Sequence, residues 1–347
     1  MPDPILTPAI DALASGQDLT AEQAAEVLDI IMRGDASEVQ AAAFLIALRT
    51  KGETSKEVEG LARAMRKLAT PVVTSRHDLV DTAGTGGGRQ TFNVSTTAAI
   101  IAAGAGCAVA KHGNRSATGK SGSADVLEAL GVRIDLDADH VGRCIDEIGF
   151  GFMFAPAHHA AMRHVVPVRK ELAVRTIFNF LGPLTNPAGA RRQLIGVSDP
   201  AFIDRIAEAL ARLGVDRALV VSSADGLDEM SVAAPTTVVE VDGTDLHRST
   251  VLPEDFGLLR HPDHAATAGG GPEENAAIAR AIFSGEHGPG TPTHDLAVLN
   301  AGAAVYAGGA ARTLREGVEA AAEAVADGRA GETLERLIAT TQELAPA

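Results

Sequence analysis

The sequence predicts an α/β protein, with a small N-terminal α-helical domain ahead of a larger α/β domain whose central sheet is mainly parallel and flanked by helices. Three observations predict it. At 347 residues the chain exceeds the ~250–300 residues at which one core usually stops growing, so a large domain carrying a smaller one is expected. Its first seventy residues read as a run of short helices, each apolar-periodic stretch preceded by a start signal and followed by a stop. From Leu79 short apolar strands alternate with helices, the grammar of a parallel sheet covered on its faces. Composition agrees, since 46% hydrophobic and 22% charged residues can bury a core and lie far from the disordered regime.

Capping boxes place the first helices. Thr20 with Gln23 opens one closed near Gly34, Ser37 with Gln40 one that stops before Gly52, and Thr54 with Glu57 one that stops before Pro71. In the second, Val39, Ala42, Ala43 and Ile46 recur at helical spacing and are expected to form a buried stripe. No catalytic constellation lies here, and the segment reads as a packing or dimerisation module. Strands are expected ending at Val80 and over Cys107-Ala108-Val109-Ala110, Gly151-Phe152-Met153-Phe154, Leu194-Ile195-Gly196-Val197 and Ala218-Leu219-Val220-Val221. Helices over 95–103, 124–130, 138–148 and 202–213 separate them, with Gly131, Gly149 and Gly214 as stops. Thr237-Val238-Val239-Glu240-Val241-Asp242-Gly243 reads as a strand running into a hairpin turn. Gly269-Gly270-Gly271-Pro272 reads as a flexible linker into a helix, and from Asp295 the chain is helical. The division falls into an α-helical domain over 1–72 and an α/β domain over 73–347.

The charge balance, 30 basic against 45 acidic side chains for a net −15, disfavours a nucleic-acid partner. Cys107 and Cys144 stand apart and outside any metal or disulfide spacing, which fits a reducing compartment. The start, Met1-Pro2-Asp3-Pro4-Ile5-Leu6, lacks signal-peptide character, and the longest uncharged small-apolar stretch, 97–110, falls short of the ~18 residues a membrane span needs. A soluble cytoplasmic protein without a membrane partner is expected.

The most informative stretch is Asp81-Thr82-Ala83-Gly84-Thr85-Gly86-Gly87-Gly88-Arg89-Gln90-Thr91-Phe92-Asn93-Val94-Ser95-Thr96. Glycines after a strand let backbone N–H groups approach a phosphate closely, and the helix start with the Ser95 and Thr96 hydroxyls adds donors. This suits an anion carrying several phosphates. No Gly-Lys-Ser/Thr closes the loop as in a Walker A motif, and it lacks dinucleotide-fingerprint spacing; a purely structural turn is the alternative. Lys111-His112-Gly113-Asn114-Arg115 follows a strand, where its cations would neutralise a polyanion; solvated surface is the alternative. Ser116-Ala117-Thr118-Gly119-Lys120-Ser121-Gly122-Ser123, small and hydroxyl-rich, is a second candidate anion cradle. Asp228-Glu229 pairs carboxylates that would repel without a counter-ion, for which Mg²⁺ shared with substrate phosphates is the usual reason; an exposed acidic turn is the alternative. Over 167–187, prolines and Gly182 suit a rigid wall between two lobes, and Arg169 could bind a carboxylate bidentately. The spacing of His158, His159 and His164 specifies no metal site, and helix-surface histidines are expected.

Together these motifs resemble the anthranilate phosphoribosyltransferase family. Gly84-Thr85-Gly86-Gly87, Asn93-Val94-Ser95-Thr96, Lys111-His112-Gly113-Asn114-Arg115, Ser121-Gly122-Ser123-Ala124-Asp125, residues 175–187, Asp228-Glu229 and residues 269–276 occur in the family's order over nearly the full chain. The resemblance implies a helical domain completed by a stretch near residues 170–190, an α/β domain that binds phosphoribosyl pyrophosphate, and a homodimer contacting through the helical domain. The implied reaction joins anthranilate to phosphoribosyl pyrophosphate with Mg²⁺, giving N-(5-phosphoribosyl)anthranilate and pyrophosphate. Gly84, Gly87, Gly88, Thr91, Asn93, Val94, Ser95, Thr96, Lys111, His112, Gly113, Asn114, Arg115 and Ser123 match positions around the phosphoribosyl donor. Gly84, Asn114 and Arg169 match anthranilate positions, with His112, His159 and Pro183 along the channel, and Ser95, Asp228 and Glu229 match the magnesium positions.

One departure stands out. The family commonly reads Gly-Thr-Gly-Gly-Asp-Gly before Asn-x-Ser-Thr, whereas this chain has Gly88-Arg89 and a loop one residue shorter. A carboxylate is thus missing beside the pyrophosphate, and weaker or differently placed magnesium binding is expected. Two rival readings stay open. A pyrimidine-nucleoside phosphorylase of the same fold is opposed by residues 175–187 and the Lys-His-Gly-Asn-Arg form. An inactive nucleic-acid-binding paralogue is opposed by the acidic balance and by Asp228-Glu229.

Overall fold

The structure, a computed structural model, describes residues 3–116 and 119–345; Ala117 and Thr118 of the hydroxyl-rich stretch lie outside the described residues. The chain opens with α1 (Leu6–Ala14), α2 (Ala21–Arg33), α3 (Glu38–Lys51) and α4 (Ser55–Leu68). The Thr20 and Thr54 boxes close fully, each hydroxyl accepting from the N–H three residues on while Gln23 and Glu57 reach back. At Ser37 only the hydroxyl half forms, because the Gln40 carboxamide accepts from the Asp3 N–H instead. Glu57 is fully buried, accepts from the Leu19 N–H at 2.9 Å and pairs with Lys51 Nζ at 2.9 Å, so the α1–α2 connection is tied to α4.

α3 turns inward a different face from the one expected. Ala41, Phe44, Leu45 and Leu48 are buried, whereas Val39 is 78% exposed and Ala42, Ala43 and Ile46 are half-buried. Both faces are apolar, and burial of the one bearing Phe44 and two leucines removes more apolar surface from water.

The α/β part runs β1 (Leu79–Gly84), α5 (Val94–Gly104), β2 (Ala108–Gly113), α6 (Ser123–Ala129), α7 (Ala138–Ile148) and β3 (Phe150–Phe154). Three short helices follow, α8 (Ala155–His158), α9 (Val166–Leu172) and α10 (Phe178–Leu181). Then come β4 (Arg192–Gly196), α11 (Ile203–Arg212), β5 (Arg217–Ser223) and the expected hairpin, β6 (Thr236–Asp242) and β7 (Asp245–Val251). Four helices close the chain, α12 (Pro272–Phe283), α13 (Pro292–Ala307), α14 (Leu314–Ala326) and α15 (Arg329–Leu344).

Among the described residues the sheet order is β3-β2-β1-β4-β5-β6-β7, parallel as far as β5 and antiparallel beyond it. The chain lays β2 and β3 on one side of β1 and then places β4 on the other, so the strand order reverses at the β1–β4 pair. That pair ends in facing glycines, Gly84 opposite Gly196. Open α/β sheets bind ligands in the crevice beyond the carboxyl ends of such a pair.

One apolar core lies on the side of the sheet covered by α5 and the almost wholly buried α13. The other is continuous from α1–α4 through Val165, Val168, Ile177, Phe178 and Leu184 to α11 and to Ile195, Val220 and Val239 of the sheet. The segment around α9 and α10 therefore packs with the N-terminal helices. The glycines at 269–271 do not act as a loose linker. A Cβ on Gly269 would stand 2.5 Å from Phe92 Cα, and the Gly270 N–H donates to Asn275 Oδ1 at 2.8 Å, so the entry of α12 is packed against the end of the glycine-rich loop. No helix of the described residues is long and apolar enough to cross a membrane.

The approach of α4 to α2 gives a stability test. A Cβ on Gly60 of α4 would stand 2.0 Å from the Ala21 carbonyl oxygen of α2. In an open helix Gly→Ala stabilises by roughly 1 kcal/mol; here the overpacking cost of about 1–3 kcal/mol should win. Gly60→Ala is expected to lower Tm by several degrees in a circular-dichroism melt, and an unchanged or raised Tm would contradict the packing.

Candidate active site

The carboxyl ends of β1, β2 and β4 open into a cleft of about 1160 Å³, whose lining also includes Met65 of α4, Arg169 of α9, Phe178 of α10, His159 and Pro183. The facing glycines at the strand reversal make a notch. A Cβ on Gly196 would stand 1.5 Å from the Asp228 carbonyl oxygen, and one on Gly84 2.7 Å from Asp228 Oδ2. Only hydrogens at both positions let the loop carrying Asp228 and Glu229 cross the strand ends.

The glycine-rich loop then takes left-handed turns at Gly86 (φ +63°) and Gly87 (φ +83°). The Gly86 N–H donates to Asp228 Oδ2 at 2.9 Å, while its carbonyl accepts from Ser198 Oγ at 2.8 Å and Arg175 Nη1 at 3.1 Å. A carboxylate thus already sits on a loop amide, the polarity a phosphate would use. Asn93, at the entry of α5, does not cap the helix. Its amide donates to the Ser121 carbonyl at 3.1 Å, and its Oδ1 accepts from Ser121 Oγ at 2.9 Å and Asn275 Nδ2 at 2.8 Å. That side chain fastens the α5 entry to the loop before α6 and to α12. Val94 and Ser95 line the cleft; Thr96 does not, its hydroxyl being buried without a partner among the described residues.

Lys111 is almost fully buried at the end of β2. Its Nζ donates to the Thr82 carbonyl at 2.6 Å and lies 3.5 Å from Ser95 Oγ, and burial pushes it down to about 8. Burial also pushes Asp81 up to about 6, although the Lys111 charge opposes this. Asp81 receives the His112 N–H at 3.1 Å and Asn186 Nδ2 at 2.8 Å, so it holds β2 and the 182–187 wall together. Asn114 and Ser123 bond each other at 3.2 Å. Arg115 leans outward onto Asp125 and Glu128, so its charge is already matched at the rim of the cleft.

Asp228 and Glu229 do not form an exposed acidic turn. Glu229 Oε2 is buried without a partner among the described residues; burial and then the Asp228 charge push Glu229 well above the usual carboxylate range, and burial raises Asp228 as well. A cation between them and a ligand would relieve both. Among the described residues no three His, Cys, Asp or Glu side chains form a metal cage, so an ion here would draw its other ligands from substrate oxygens or water, as Mg²⁺ does in phosphate sites. A Cβ on Gly88 would meet Asp228 Oδ1 and the Gly226 carbonyl oxygen, each at 2.8 Å. A carboxylate therefore cannot be added at position 88 without displacing Asp228.

On the opposite wall Arg169 is half-buried beside Phe178, 5.6 Å from the ring centroid, and makes no ion pair among the described residues. His158 and His159, expected on a helix surface, are 2% and 4% exposed; the chain leaving α4 is tied to His158, whose carbonyl accepts from the Thr70 N–H at 2.8 Å. His112 and His159 stand 5.0 Å apart, and among the described residues His159 has no hydrogen-bond partner on either ring nitrogen. Apart from Thr96, every site residue expected from the sequence lines this one cleft. Arg175 and Asn275, which also line the cleft, and Asp81 and Ser198, which support it from behind, were not among the expected site residues. Asp81, Arg175 and Asn275 lie inside the motif stretches singled out in the sequence; Ser198 carries no signal there.

The chain matches the model for the glycosyl transferase family, helical bundle domain, over residues 7–69 and that for the glycosyl transferase family, a/b domain, over residues 76–331. It is 53% identical over 333 residues to the anthranilate phosphoribosyltransferase of Symbiobacterium thermophilum, covering 96% of both chains. The crystal structure of anthranilate phosphoribosyltransferase from Thermus thermophilus superposes with a TM-score of 0.91 at 48% identity, over 96% of this chain and 99% of that one. The Saccharomyces cerevisiae enzyme in complex with phosphoribosyl pyrophosphate and Mg superposes with a TM-score of 0.88 at 29% identity, over 97% and 98%, and has also been solved with 4-fluoroanthranilate. A chain that carries this cleft on this fold, at about half identity across nearly its whole length, belongs to the anthranilate phosphoribosyltransferase family.

Proposed function

We propose that the chain transfers the phosphoribosyl group of phosphoribosyl pyrophosphate to the amine of anthranilate, releasing pyrophosphate, with Mg²⁺ held at Asp228, Glu229 and Ser95. The observation that carries the reading is the pairing, in one cleft, of an anion cradle faced by the half-buried carboxylates of Asp228 and Glu229 with a guanidinium on the far wall that has no ion-pair partner among the described residues. The diphosphate lies against the amides of Gly84, Gly87 and Gly88, the α5 entry from Thr91 through Ser95, and Lys111, with Gly113, Asn114, Arg115 and Ser123 around the ribose phosphate. A bound Mg²⁺ supplies positive charge to the departing pyrophosphate. The amine attacks the anomeric carbon as the carbon–oxygen bond to pyrophosphate breaks, through an oxocarbenium-like transition state. The protein's task is to stabilise the leaving charge and to align the amine. Anthranilate enters beside Arg169, which meets its carboxylate, with Gly84, Asn114, His112, His159 and Pro183 along the channel.

The helical domain over 1–72, completed by residues near 170–190, is proposed to carry a homodimer contact. The apolar residues of α3 left outside the core, Val39, Ala43 and Ile46, support this. A cytoplasmic location is supported by the two free, buried cysteines.

With no Trp and one Tyr, the protein emits little of its own fluorescence. Loss of anthranilate fluorescence that requires both phosphoribosyl pyrophosphate and Mg²⁺ is the expected result, with no phosphorolysis of thymidine or uridine. Arg169→Ala should raise the anthranilate KM by about 10- to 100-fold, as loss of a charged hydrogen bond does, and leave the donor KM unchanged; equal losses for both substrates would remove Arg169 from this role. Burial, helped by the neighbouring imidazoles, pushes His112 down to about 3 and His159 to about 4, so both stay neutral until well into acid. Ring resonances of these two should not titrate between pH 8 and about pH 5, against the ~6.5 midpoint of an exposed imidazole. Finally, the Val39→Glu, Ala43→Glu double variant should run as a monomer in light scattering where the parent runs as a dimer.

A further inference from the structure

Arg89, at the end of the glycine-rich loop, bridges two other loops at the rim of the cleft. Its backbone N–H donates to the Gly226 carbonyl at 2.8 Å, its Nη1 donates to the His264 carbonyl at 3.1 Å, and its Nη2 lies 3.3 Å from Asp225 Oδ2. Asp225 is 4% exposed at its side chain, also accepts from Ser231 Oγ at 2.8 Å, and does not line the cleft. With the Gly86 amide on Asp228 and no room for a side chain at Gly88, the glycine-rich loop is docked along the loop that carries the acidic pair. The ion pair is one-sided: Arg89 Nε and Asp225 Oδ1 are both buried without a partner among the described residues. A contact of this kind can tighten into a two-point fork as the loop closes on a ligand.

We propose that Arg89 is a positioning residue for the pyrophosphate half of the site: bridging Asp225 and the His264 carbonyl, it fixes the spacing between the amides of the short glycine-rich loop and the carboxylates of Asp228 and Glu229. It acts through the two loops rather than on the reacting atoms. The glycine-rich loop is thereby held by a guanidinium that lines the cleft and is anchored on Asp225 behind it. The proposal rests on the phosphoribosyl reading above.

The test is calorimetric binding of phosphoribosyl pyrophosphate, with and without Mg²⁺, to the parent chain, Arg89→Met, Asp225→Asn and the double variant, alongside steady-state kinetics. Arg89→Met and Asp225→Asn should each weaken donor binding in the presence of Mg²⁺ by about tenfold and raise the Mg²⁺ concentration needed for half-maximal rate, with the anthranilate KM unchanged. The double variant should be no worse than either single one, because both remove one contact. Arg89→Lys, which keeps the charge without the fork, should recover part of the loss and serves if the methionine variant melts early. Folded variants that bind the donor as the parent does, or losses that multiply in the double variant, overturn the proposal alone. A folded parent that binds no phosphoribosyl pyrophosphate overturns the underlying reading and the proposal with it.

Discussion

The site depends on two hydrogens. Where Gly84 and Gly196 face each other at the ends of β1 and β4, any side chain would collide with Asp228. Their small size lets the acidic loop lie across the point where the strand order reverses, which is also where parallel sheets leave a crevice. Most other parts of the cleft are arranged around that crossing. The glycine-rich loop leaves from Gly84 and hands an amide to Asp228, Arg175 and Ser198 grip that loop's carbonyl, and Arg89 ties it back to the acidic loop.

Electrostatically the cleft sets cationic groups into an acidic protein, as the proposed polyanion would require. The chain carries a net charge of −15, yet Lys111 is buried here and Arg169 stands without an ion-pair partner among the described residues. Burial penalises charge on both sides, pushing Lys111 down and Asp228 and Glu229 up. A diphosphate with a divalent cation would pair with each of these groups at once, so binding relieves a cost that burial imposes on both signs of charge. His112 and His159, held neutral by burial, add polar surface to the cleft without competing for that charge.

The helical part matters to this chemistry through its core. Val168, Phe178 and Leu184 share an apolar cluster with α1–α4, so the wall that presents Arg169 is held by the N-terminal helices. Asp81 provides the second tie, joining the end of β2 to Asn186 beneath the same wall.

Local signals were enough for the layered architecture, the hairpin, the capped helices and the motif residues, because glycine turns, caps and strand–helix alternation are determined within a few residues of chain. The family followed from motif order alone. Long-range packing decided the rest. Which apolar face of α3 goes inward depends on neighbours that its own residues do not name, and whether His158 and His159 meet solvent depends on what the chain after α4 and the end of β2 lay against them. That Gly269 is a packing surface follows only once Phe92 lies against it. Asp228 and Glu229 became a half-buried pair, and Arg89 a bridge, only when the sheet order brought loops from three separate parts of the chain to one strand end, since contact between distant residues is a property of the fold and not of any segment.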